Sequence, residues 1–137
     1  MAVTNSVLVN DGGAPARIIN LEAASAITAG MALEINSSGK VLGADTDNFR
    51  VAGFALVDAA AGDLCSVVTG SGVVLNVHLD ADTNDIDPGN MLMVAEDGAL
   101  KKAASVDSTV VAIAMEAATG TPAAHIAAGQ LFKVLVK

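Results

Sequence analysis

The stretch Ile27-Thr28-Ala29-Gly30-Met31-Ala32-Leu33 returns 59 residues later as Ile86-Asp87-Pro88-Gly89-Asn90-Met91-Leu92. In both copies a glycine turn feeds an apolar segment, the grammar of a turn entering a strand. Each copy then passes a second glycine turn (Gly39; Gly98) and an apolar strand (51–57; 110–115). An Ala/Gly turn follows, Ala60-Ala61-Gly62-Asp63 in one and Ala118-Thr119-Gly120-Thr121 in the other. Each closes on a glycine-led, β-rich run (72–79; 129–136). Two related β units, spanning about 27–79 and 86–136, are expected to share one core. A unit of roughly 50 residues buries too little surface to be stable alone.

Around this repeat the chain keeps period two. Met31, Leu33 and Ile35 alternate with Ala32 and Glu34, and Val73, Leu75, Val77 and Leu79 lie opposite Val74, Asn76 and His78. Phe132, Val134 and Val136 alternate with Leu131, Lys133, Leu135 and Lys137. Further strands are expected at 7–9, 17–21, 64–69 and 92–95. No segment sustains a capped 3.6-residue period, so helices are limited to short Ala-rich pieces such as 100–105. The expected fold is mainly β, a compact β-barrel or β-tulip-like domain over 18–137 built from two related halves. Residues 1–17 form an N-terminal arm behind the turn cluster Asn10-Asp11-Gly12-Gly13-Ala14-Pro15. The arm is either a loose terminal edge strand or a segment that adds to a neighbouring subunit. In the second case Val3, Val7, Val9 and Arg17 are its interface residues.

The chain has 137 residues, of which 53% are hydrophobic and 2% aromatic, without Trp or Tyr. With so few aromatics, core and contacts must be built from Val, Leu, Ile, Met and Ala, which favours oligomers or adhesion to a larger scaffold. Fifteen acidic against seven basic residues leave a net charge of -8, and Arg50 is the only base between Lys40 and Lys101. That field repels phosphate backbones and argues against direct nucleic-acid binding. No apolar run reaches the ~20 residues that span a bilayer, and the first residues lack a basic and an apolar signal region. A soluble, unexported protein without membrane contact is expected. The lone cysteine, Cys65, excludes an internal disulfide.

Reactive chemistry is sparse. His78 stands in a strand, and His125 has no neighbouring acid in sequence to orient it as a base. Cys65 lies in an apolar strand with nothing basic beside it to activate the thiol. Phosphate-loop, nucleophile-elbow and zinc-helix motifs are missing. Asp80, Asp82 and Asn84 begin like a calcium loop, but Asp85 and Met91 occupy the positions that require Gly and a bidentate Glu. The loop reads as a solvated connection or, more weakly, as a cation site. No enzyme and no cofactor is expected.

The order of segments resembles the capsid cement (head decoration) proteins of tailed bacteriophages. The likeness rests on the strand entry at 29–33, Val-Ala-Gly-Phe-Ala at 51–55, Ala-Gly-Asp-Leu-x-x-Val at 61–67 with Gly-Val at 72–73, Pro-Gly-Asn at 88–90, and the closing strand. It covers about residues 20–137. The resemblance implies a homotrimer bound to the major capsid protein on the outside of the virion, with the host cytoplasm as its location before assembly. It implies no catalytic residues. Other classes stay open: a tail- or fibre-associated virion module, or a calcium-dependent or carbohydrate-binding adhesion module.

Overall fold

The computed structural model describes residues 6–10, 17–45, 51–80, 85–104, 110–119 and 130–137. The fold is mainly β, as the period-two pattern requires, and the described residues contain no helix. Eleven strands run in order: β1 (Leu8–Asn10), β2 (Arg17–Glu22), β3 (Ala32–Ile35), β4 (Val41–Gly43), β5 (Val51–Ala55), β6 (Leu64–Thr69), β7 (Val74–Val77), β8 (Met91–Val94), β9 (Leu100–Lys102), β10 (Val110–Ala114) and β11 (Phe132–Val136). One sheet has the order β2-β6-β5-β3-β4 and the other β1-β7-β11-β10-β8-β9. Without β1, the two orders are the same pattern written twice.

The duplication extends to register. Ala32 pairs with Phe54 and Leu33 with Gly53; at the same 59-residue offset Met91 pairs with Ile113 and Leu92 with Ala112. One irregularity breaks both ladders, between Gly53 and Val51 and between Ala112 and Val110. Isolated bridges repeat as well: Ile27 to Ala59 and Ile86 to Ala118 antiparallel, Ala23 to Val41 and Leu79 to Leu100 parallel. The parallel pair curls each sheet, because chain just beyond its first strand returns to its last. Gly30 and Gly89, at φ +92° and +90°, hold the shared turn in a backbone region costly for any residue with a Cβ.

The sheets divide between β6 and β7, so the structural units are 17–69 and 74–136. The run at 72–79, expected to close the first unit, therefore opens the second. Alternation shows that a segment is a strand without showing which strands flank it. The stretch at 100–105, a candidate helix, begins as β9 because β8 offers it a ladder. Both β4 and β9 escaped the sequence reading, since three residues are too few to display a period.

A seam joins the units. Inside the first curl lie Leu33, Val41, Ala55, Cys65 and Val67. Alternate residues Ala32, Phe54 and Val68, with Ala44, face the other way and join one buried cluster with Leu75, Val94, Leu131 and Phe132 of the second unit. Ala32 N–H donates to Gly98 O at 2.9 Å, Gly98 N–H to Ala44 O at 2.8 Å, and His78 N–H to Gly30 O at 3.1 Å. A Cβ on Gly30 would come within 2.8 Å of Leu131 Cδ1, and one on Gly98 within 2.7 Å of Ala32 O. The units thus touch at backbone distance. Phe54→Ala should destabilise the protein by about 3–5 kcal/mol, as large core truncations do, and one unfolding transition should remain by circular dichroism and fluorescence-dye melting alike.

Candidate functional site

The structure disperses the residues singled out from sequence. Asp80 follows β7, half-buried, and its N–H donates to Leu100 O at 2.8 Å, helping to close the second curl. Asp82 and Asn84 lie outside the described residues, as do Val3 and His125. Among the described residues no three His, Cys, Asp or Glu side chains come together as metal ligands. Val7 corrects the interface reading: it is 4% exposed and belongs to the core of its own chain. Its strand neighbours pair with β7 (Leu8 with Leu75, Asn10 with Val74), and Asn76 Nδ2 donates to Ser6 O at 2.7 Å. Pairing with β7 turns Val7 inward. Val9 and Arg17 remain exposed.

Cys65 is fully buried inside the first curl, and burial pushes its thiol up. His78 lies half-buried in a cleft at the seam with Thr28, Met31, Asp80, Glu96 and Asp97. Burial lowers its pKa, opposed by a hydrogen bond to Ala29 and by the Asp58 carboxylate, and its Nε2 has no partner. Asp58 is engaged, accepting the Ala29 N–H at 2.7 Å. The shift favours the uncharged imidazole in this cleft between the units.

What the structure does gather is an apolar ridge on the first unit. Ile19 on β2 is 43% exposed, and its neighbour Ile18, on the opposite face of the same strand, is 48% exposed. Leu64, opposite Glu22 at the start of β6, is 68% exposed, and Ile35 at the end of β3 is 50% exposed. β2 is the outermost strand of its sheet among the described residues, with a free edge beside this ridge. Long apolar edge strands are aggregation-prone when nothing covers them. Sequence reading missed the ridge because Arg-Ile-Ile-Asn-Leu-Glu shows strand propensity while hiding which apolar residues lack cover. The adjacent isoleucines, which break alternation, were the available signal.

No family model matches this chain, and no curated protein matches it. Among solved structures the likeness is to a bacteriophage head-fibre component and concerns the fold. The head fiber gp8.5 N base of bacteriophage phi29 superposes with a TM-score of 0.66 at 22% identity, covering 90% of this chain and 95% of that one.

His78 makes the seam sensitive to acid. Its folded pKa lies below the ordinary value of about 6.5, so the unfolded chain binds the proton more readily. Its contribution is complete above pH 6.5 and is lost as pH falls toward the lowered value. The thermal midpoint should drop across that window in the native chain, and His78→Gln should flatten the slope.

Proposed function

We propose that this chain is a virion structural protein that binds the outer surface of a tailed-phage head, bridges neighbouring major capsid subunits as a homotrimer and stabilises the expanded shell. The observation that carries this reading is the fold likeness to a phage head-fibre base across 90% of the chain. The exposed apolar side chains Ile19, Ile35 and Leu64 support it, since a protein working by contact area needs uncovered apolar surface. The net charge of -8 fits the same role: it keeps the free protein in solution in the host cytoplasm and away from nucleic acid. Function here follows from covered surface, without catalysis or cofactor.

The mechanism is linkage. A ligand that binds only the expanded lattice shifts the equilibrium toward that lattice by its differential binding energy. About 1 kcal/mol per site is small for one protein, yet it dominates when summed over the many equivalent sites of a shell.

A fibre-associated module is the second reading, favoured because the similar phi29 protein is the base of a head fibre. Expanded empty heads of the cognate phage separate the two. Cement should saturate a fixed lattice stoichiometry and raise the thermal midpoint of the head. Binding at a minority of sites with an unchanged midpoint assigns the fibre role, and no binding to expanded heads removes both readings.

A further inference from the structure

The seam between the units has a vacant counterpart at each end of the chain. On the second unit, Leu75, Val94 and Leu131 are buried in the cluster that joins it to the first. Pairing registers place Ile19, Ile35 and Leu64 at the equivalent positions of the first unit: Ile19 pairs with Val67 as Leu75 does with Val134, Ile35 with Val41 as Val94 does with Leu100, and Leu64 precedes Cys65 as Leu131 precedes Phe132. These three are 43%, 50% and 68% exposed. Turns tell the same story. A Cβ on Gly98 would strike Ala32, whereas its equivalent Gly39 has nothing within 4 Å.

The opposite end mirrors this. Ala32, Phe54 and Val68, the first unit's contribution to the seam, correspond to Met91, Ile113 and Leu135 on the second. The former are buried and the latter only half-buried. Gly30 lies against Leu131, while its equivalent Gly89 is exposed with nothing within 4 Å. An apolar face without its receiver thus stands at one end, and a receiver without its face at the other.

We infer that copies of this chain bind head to tail, the Met91–Ile113–Leu135 face of one copy seating on the Ile19–Ile35–Leu64 surface of the next. The contact repeats between chains the one that joins the units within a chain, with Leu64 over the neighbour's Gly89 as Leu131 lies over Gly30. Met91 stands where the internal seam has Ala32, so the repeated contact is wider, and a flexible thioether side chain suits such a gap. A contact of this kind uses two different patches and forms a ring where its rotation closes, which the homotrimer of the proposed function requires. The inference specifies the self-association within the proposed function and does not require the capsid.

Complementation tests it on the free protein by sedimentation velocity across a wide concentration range. The native chain should form a closed oligomer. Leu64→Glu, blocked at the receiver, and Ile113→Glu, blocked at the face, should each be monomeric while keeping the native circular dichroism spectrum. Mixed, they should give a 1:1 dimer, because each retains the patch the other has lost. Met91→Glu replaces Ile113→Glu if the latter fails to fold. A native chain monomeric throughout, a variant that keeps the full oligomer, or a mixture that stays monomeric overturns the inference. Saturable head binding alongside any of those results leaves the proposed function standing.

Discussion

The burial of one sheet face at the seam is the constraint on which the structure depends. A strand presents side chains to both faces, and a curled sheet of five short strands can enclose only one of them. In the first unit the enclosed set is small: Ala23, Ile27, Leu33, Val41, Ala55, Cys65 and Val67. The other face must be covered from outside, and the second unit covers it. Small residues make that cover close. Ala32, Ala44 and Gly43 let the Asp97–Gly98 turn approach until backbone groups of the two units hydrogen-bond. A single large side chain there would force the units apart and expose Phe54 and Val68.

Duplication was legible from sequence because its markers are conformational. Gly30 and Gly89 hold positive φ angles that disfavour other residues, so the turns persist where strand residues have diverged from Ala32 to Met91 or from Phe54 to Ile113. The division between the units was hidden, because alternation in Val73–Val77 is equally consistent with the last strand of one sheet and the first of the next. Hydrogen-bond partners settle that question, and they are a property of the folded chain. Val7 was misread for a related reason: its inward orientation depends on β7, nearly seventy residues away.

The apolar ridge was hidden more deeply. Leu64 and Leu131 are the same residue type at equivalent places, one exposed and the other buried. Nothing local distinguishes them. Burial follows from position in the series of units: Leu131 lies in the seam against the first unit, and Leu64 lies outside it. A pattern reading therefore recovers the repeated unit and misses its ends, which is where surface of functional interest concentrates.

A two-unit chain also differs from a closed domain in how it treats its own ends. In a repeat array, terminal units ordinarily acquire polar outer faces that stop growth. Here the first unit keeps Ile18, Ile19, Ile35 and Leu64 at its surface, and the second keeps Met91, Ile113 and Leu135 on the corresponding face. Among the described residues, the edge of β7 is the one that receives a cap, from β1. Capping one edge while leaving both apolar ends open restricts how copies can add. The edge of β7 is occupied within the chain, and face-to-surface stacking is left available. The net charge of -8 opposes indiscriminate association, so copies gain by meeting only where apolar area is large enough to outweigh repulsion. Selectivity of that kind, set by which edges are covered and which faces are left bare, is what a protein acting through surface requires.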